Sequence, residues 1–232
     1  MLLINAYAHA YHFEKDGIYY NILSGKDKTV EVTFPATPDS QKPNTNYNGD
    51  IEIPETVVFN SNTYTVTSIS SKAFMSSALI SVSIPSTVTT IEYETFYNCS
   101  SLENISLPNT LTNINGNAFY GCSSLKSIII PNSVRYVSER AFMGCTSLES
   151  AVLSESMNII GDHLFSDCHS LKSIAIPSTI ESIECGAFAS CTSLTSLIIP
   201  NSKISIQWFA FWTTQCNNPG NSVSSAYCRD CL

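Results

Sequence analysis

Seven phenylalanines, Phe74, Phe96, Phe119, Phe142, Phe165, Phe188 and Phe211, recur at a spacing of 22 and then five times 23 residues. Cys99, Cys122, Cys145, Cys168 and Cys191 follow five of those rings at a constant offset of three, and Leu102, Leu125, Leu148, Leu171 and Leu194 keep the same step. Pro85, Pro108, Pro131, Pro177 and Pro200 form a fourth register, with Ser154 standing where one proline drops out. Four registers locked to one period constrain the fold more than any other feature of this 232-residue chain. A fixed period of this length means stacked copies of one supersecondary unit.

One unit runs from Ser124 through Pro131 to Cys145. Leu125-x-x-Ile128-x-Ile130-Pro131 has the alternation and β-branched content of a short strand, with Ile128 and Ile130 inward. Proline ends the strand because it has no N–H for a continuing ladder. The apolar groups Val137, Ala141, Phe142 and Cys145 are spaced four, one and three apart, which predicts a single helical or 3-10 turn. Such a unit cannot bury its apolar side alone, so successive coils must cover one another, with their strands in a parallel sheet about 4.8 Å apart. The expected fold class is a solenoid, a right-handed α/β or mainly β superhelix. Each 23-residue coil holds one short parallel strand and one helical turn, and unequal sides curve the stack to give a concave sheet face.

The pattern I-x-x-x-A-F-x-x-C-x-S-L-x-x-I-x-I-P, carried by residues from about 51 to 212, resembles the BspA-like leucine-rich repeats, also called the Treponema pallidum type. The resemblance implies about seven coils and a role like that of the family. Its members are typically secreted or surface proteins of host-associated bacteria and some protists, implicated in adhesion and in binding matrix or host proteins.

The ends depart from the repeat. Residues 1–12 fit a signal-peptide remnant, with Ala6-Tyr7-Ala8 as an A-x-A cleavage site, or an ordinary disordered start. Residues 13–49 are expected to form an N-terminal cap: a β-hairpin of Gly17–Leu23 with Thr29–Phe34 around Ser24–Lys28, then a polar loop from Pro35 to Gly49. Residues 50–212 hold the repeats. Asp50-Ile-Glu-Ile-Pro54 reads as the first repeat strand, and a second hairpin of Thr56–Phe59 with Tyr64–Val66 fills the long interval before Phe74. Residues 213–232 are a C-terminal cap or tail, and Trp208 and Trp212 crowd the last coil as caps or as an aromatic platform.

Chemistry is sparse. The net charge is −8 and the 11 basic residues are scattered, which excludes a nucleic-acid backbone as partner. No run of 18 apolar residues occurs, so no transmembrane span is expected. The five periodic cysteines would repeat along a line with parallel Cβ vectors, which suits neither disulfides nor zinc; they read as a buried thiol ladder. Cys216, Cys228 and Cys231 lie outside the ladder, and a cap disulfide from Cys216 to Cys228 or Cys231 is expected if the chain is exported. Cys185 has no assigned role, and His163 and His169 sit on the turn side without a matching nucleophile or carboxylate. No catalytic motif, cofactor fingerprint or metal-ligand spacing occurs, so the chain reads as no enzyme and as needing no cofactor.

Strand parity supplies the binding expectation. With Ile128 and Ile130 inward, Ser127 and Ile129 face out. Stepping by 23 extends these into a polar column through Ser150, Ser173 and Ser196, and an apolar column through Val152, Ala175 and Ile198. β-Branched residues there favour the strand itself, while a contiguous exposed apolar strip marks an interaction site. The leading reading is an extracellular or cell-surface module, adhesin-like, that binds a host or matrix protein through these eight residues. The alternatives are a glycan-binding or carbohydrate-active β-solenoid and an architectural surface spacer. Polysaccharide lyases of the β-helix type need clustered carboxylates with Lys or Arg on one sheet face, whereas these outward positions are nearly all Ser or small apolar groups.

Overall fold

The computed structural model describes residues 11–35, 47–200 and 203–214. Residues 1–10, with the Ala6-Tyr7-Ala8 sequence, and Cys216, Cys228 and Cys231 lie outside the described residues. Eighteen strands follow one another with no helix among the described residues. The first six are β1 Phe13–Lys15, β2 Ile18–Ser24, β3 Thr29–Thr33, β4 Asn48–Glu52, β5 Thr56–Phe59 and β6 Asn62–Ile69. β2 pairs antiparallel with β3, β5 pairs antiparallel with β6, and β3 runs parallel to β6, giving a five-stranded sheet β1-β2-β3-β6-β5. Both hairpins therefore share one sheet. Val30 and Val32 alternate onto its inner face, a register shift in the pairing brings Val66 and Ile69 opposite them, and all four are fully buried.

The stretch expected to be loop up to Gly49 ends earlier. Tyr47 is buried, its hydroxyl donating to the Thr33 carbonyl at 2.6 Å and accepting the Tyr19 N–H at 3.1 Å. Its ring meets Phe74 edge-on at 4.6 Å, so one side chain joins the hairpin sheet to the first ring of the repeat. A tyrosine can do this because its body is apolar while its tip satisfies two backbone groups.

From there each coil contributes two strands. The longer ones are β7 Ala78–Ser83, β9 Asn104–Ser106, β11 Ser127–Ile129, β13 Ser150–Val152, β15 Ser173–Ala175 and β17 Ser196–Ile198. They build the parallel sheets β4-β7-β9 and β11-β13-β15-β17. Two-residue strands alternate with them: β8 Thr90–Ile91, β10 Asn113–Ile114, β12 Tyr136–Val137, β14 Ile159–Ile160, β16 Ser182–Ile183 and β18 Ser205–Ile206. These form the ladders β8-β10-β12 and β14-β16-β18, so Val137 is a strand residue and not part of a turn as its spacing suggested.

The third side of each coil corrects the expected helical turn. Phe96, Asn98 and Glu94 donate their N–H groups to the next coil, to Ala118, Tyr120 and Gly116. The intervening Thr95, Tyr97 and Cys99 bond three residues back within their own coil. A helix would use every N–H internally; here the neighbouring coil claims alternate ones. Residues with φ of +52 to +74° make the ribbon turn, as at Glu94 and Asn98, Arg140 and Gly144, and His163 and Asp167.

Inside, the seven phenylalanine rings stack in one column with centroids 5.1 to 5.7 Å apart and planes within 10° of parallel. Each buried ring contributes on the order of 1.5–3 kcal/mol by removal from water. Leucine, isoleucine and cysteine columns fill the space on either side of it.

Candidate functional site

The outer face of β11-β13-β15-β17 carries the residues singled out by parity. Ser127 pairs with Ser150, Ser150 with Ser173 and Ser173 with Ser196; Ile129 pairs with Val152, and Ala175 with Ile198. The intervening Ile128, Ala151, Ile174 and Leu197 are buried, which fixes the other parity as outward. Ile129 is 68%, Val152 56% and Ile198 72% exposed, and Ser127, Ser150, Ser173 and Ala175 are exposed beside them. Strand order thus gathers an apolar file and a hydroxyl file onto one surface. Ala175 is the small member of the apolar file, and beside it a hollow of about 350 Å³ opens between Ser173, Ile198 and Pro200.

Spacing alone left unnoticed what borders this face. Glu103, Lys126, Glu149 and Lys172 form a column of alternating charge at the same 23-residue step. Lys126 bonds Glu103 and Lys172 bonds Glu149, each at 2.6 Å. The Lys172 ammonium, by hydrogen bond and by charge, holds the Glu149 carboxyl below its ordinary range. Exposed pairs of this kind add little stability, but they balance opposite charges along the border of the apolar file. Opposite charges one period apart were the available signal. On the N-terminal sheet the same outward register is more polar: Asp50 and Glu52 on β4, and Ser81, Ser83, Asn104 and Ser106 on β7 and β9, around a hollow of about 550 Å³.

Away from this face, the cysteines and histidines of the described residues form no nucleophile–base pair. The ladder thiols form no disulfide and are buried, each donating to a phenylalanine carbonyl one coil back, as Cys122 to Phe96 at 3.2 Å and Cys191 to Phe165 at 3.1 Å. His169 Nδ1 lies 2.9 Å from the Ser190 carbonyl, and the His163 ring packs over Gly186, where a Cβ would come within 2.7 Å of it. Among the described residues no group of three His, Cys, Asp or Glu could hold a metal ion. Trp208 and Trp212 do not close over the last coil within the described residues; their side chains stand 76% and 51% exposed, while Ala210 and Phe211 fill the core. What this arrangement offers is noncovalent contact over an extended surface.

Known proteins share the repeat. A family model described as the BspA type leucine rich repeat region, in six copies, matches residues 67–182 and 158–219. A leucine-rich repeat protein from Bacteroides ovatus is 31% identical over 88% of this chain and 57% of its own, with a TM-score of 0.65. The Treponema pallidum leucine-rich repeat protein is 25% identical over 87% and 88% of the two chains, with a TM-score of 0.70. A leucine-rich cell surface protein from Faecalibacterium prausnitzii is 28% identical over 88% of this chain and 54% of its own, also with a TM-score of 0.70. The present chain therefore spans little more than half the length of the Bacteroides and Faecalibacterium proteins. No curated protein matches the sequence. Its period, its stacked phenylalanines and the residues covered by the family model together show that the chain belongs to the BspA-type leucine-rich repeat proteins.

Proposed function

We propose that the chain is a non-catalytic binding module of the cell surface or extracellular space. It takes a protein ligand, adhesin-like, on the outer face of β11-β13-β15-β17. The observation that carries this reading is the apolar file Ile129, Val152, Ala175 and Ile198 beside the hydroxyl file Ser127, Ser150, Ser173 and Ser196. An apolar centre with a polar, uncharged flank resembles the make-up of a protein interface, and monomers seldom leave such strips uncovered without use. The Faecalibacterium relative, described as a cell surface protein, supports the location. In this reading residues 13–49 close one end of the stack, 50–212 carry the coils, and 213–232 close the other, with a disulfide from Cys216 to Cys228 or Cys231.

Two substitutions test it. Ile129→Asp with Ile198→Asp places charge in the file at exposed positions, so the thermal midpoint is expected to stay within a few degrees of the parent. Binding to host and matrix proteins immobilised as an array is expected to fall by about a hundredfold or more, as for two hot-spot losses. A double variant that binds as the parent does, or that unfolds, contradicts the assignment. Parent protein that binds no arrayed protein would favour the architectural alternative.

A further inference from the structure

The second ladder is broken once among the described residues, between β12 and β14. Elsewhere from β10 onward the residue after each two-residue strand donates its N–H one coil back: Asn115 to Ile91, Ser138 to Ile114, Glu184 to Ile160 and Gln207 to Ile183, at 2.8–2.9 Å. The equivalent Gly161 N–H makes no such bond to Val137. Nor does Asn158 N–H reach Arg135, although Arg135 N–H bonds Thr112 at 3.0 Å and Glu181 N–H bonds Asn158 at 2.8 Å on either side.

A cleft of about 480 Å³ lies at this break, and Arg135, Val137, Asn158 and Gly161 all line it. Tyr136 and Tyr93 stand over it 58% and 46% exposed. Gly116 separates Tyr93 from Glu139 in the 23-residue register; a Cβ there would sit 3.5 Å from the Tyr93 ring and 3.6 Å from the Glu139 carbonyl. The missing side chain keeps the floor between Tyr93 and Glu139 open. Glu139, Asp162 and Glu184 face the cleft with Arg135.

We propose that this cleft is a carbohydrate subsite that holds a neutral oligosaccharide. Its volume falls within the usual range for small-ligand sites, about 300–1,000 Å³. A pyranose offers an apolar C–H face and a ring of hydroxyls, each able to donate and accept. The exposed tyrosine rings match the first property. The second is met by the interleaved donors and acceptors: the Arg135 guanidinium, the released N–H groups of Asn158 and Gly161, the released carbonyls of Arg135 and Val137, and the three carboxylates. A purely apolar ligand would strand those peptide groups. An anionic sugar would meet three carboxylates against one guanidinium, and a basic peptide would meet Arg135 beside the aromatic rim. The site lies on the two-residue strands, away from the Ile129 file, and does not rest on the protein-binding reading.

The experiment is calorimetric titration of the full chain with tetrasaccharides of the cellulose, xylan, mannan and chitin series. An oligouronate and tetralysine serve as the anionic and cationic probes. At least one neutral series is expected to bind. Its affinity is expected to fall by about tenfold or more with Tyr136→Ala, the size of an aromatic hot-spot loss, and likewise with Gly116→Gln, which fills the floor. Ile129→Asp is expected to leave it unchanged. Tyr136 is exposed, so its alanine variant is expected to keep the parent's thermal midpoint, and Gly116→Gln provides a second, additive-side change that removes no contact. The proposal is overturned if no neutral series binds, if the oligouronate or tetralysine binds more tightly than every neutral series, or if Tyr136→Ala binds as the parent does.

Discussion

At the residue scale, the periodic cysteine has a specific physical use. Each phenylalanine carbonyl already accepts the N–H three residues ahead, and the thiol of the next coil donates to the same oxygen, as Cys145 to Phe119 and Cys168 to Phe142, both at 3.3 Å. A thiol is apolar enough to be fully buried and still supplies that second bond. At the ends of the column hydroxyls stand in its place: Ser77 contacts the Cys99 thiol at 3.3 Å, and Thr214 donates to its own coil's Phe211 carbonyl at 2.7 Å. Burial pushes the Cys99 thiol up to about 11 and Cys145 up to about 12; it drives Cys122 and Cys168 well above the ordinary value, with neighbouring thiols adding to the rise. The unfolded chain ionises near the ordinary value while the native thiols stay neutral, so their contribution is whole below about pH 8.5 and is lost progressively above it. Burial raises Tyr20 and Tyr47 in the same direction. Urea midpoints are therefore expected to be flat on the neutral side and to drop steeply in alkali, and a flat alkaline limb would contradict the ladder. Thiol reagents are expected to find few groups in the native protein and at least the five ladder thiols after denaturation without reductant. Arg140 gives a second test, since it holds φ 55° where the equivalent residue of a later coil is Gly186 at φ 64°. Arg140→Gly relieves a left-handed strain of roughly 1–2 kcal/mol against a backbone-entropy loss of roughly 0.5–1 kcal/mol, for a net gain of about 0.5 kcal/mol. A lower urea midpoint in that variant would show that no strain is stored there.

At the element scale, what could be read from the sequence was whatever repeats in a single side-chain property. Strand parity placed Ile128 inward and Ile129 outward, and both hairpins pair where their turn residues indicated, because alternation and turn chemistry are local. The third side of the coil was misread because its apolar spacing is compatible with a helix, whereas the destination of its N–H groups depends on the coil above. A hint was present in Gly121, Gly144 and Gly186, which occupy ribbon positions at φ 64–74°, but Asn98, Asp167 and Ser190 share that conformation without announcing it. The two-residue strands are too short to show alternation. The tyrosine-lined cleft was invisible for a different reason: Tyr93, Gly116, Glu139 and Asp162 share a register without sharing a property, and what joins them is the missing bond between Val137 and Gly161. The pairing of Glu103 with Lys126 and of Glu149 with Lys172 was legible in principle, since opposite charges recur at the repeat period.

At the scale of the whole molecule, stability is a sum along one axis, because each coil touches only the coils above and below it. The Phe142 ring is stacked on both sides, by Phe119 at 5.2 Å and Phe165 at 5.5 Å, whereas among the described residues Phe211 is stacked on one side, by Phe188 at 5.4 Å. Both rings are buried, so burial by itself would predict equal losses. The linear stack predicts otherwise. Phe142→Ala leaves a cavity between two coils at a step whose second ladder is already open, and is expected to cost about 3–5 kcal/mol. It should also divide the array, so that residues on either side of the break exchange their amide protons in two separate groups. Phe211→Ala removes one stacking partner at an end and is expected to cost clearly less, fraying the last coil while protection from β7 to β15 stays unchanged. Equal losses in the two variants, or loss of protection across the whole array in Phe211→Ala, would mean that the molecule unfolds as one closed unit and that its coils are coupled beyond their nearest neighbours.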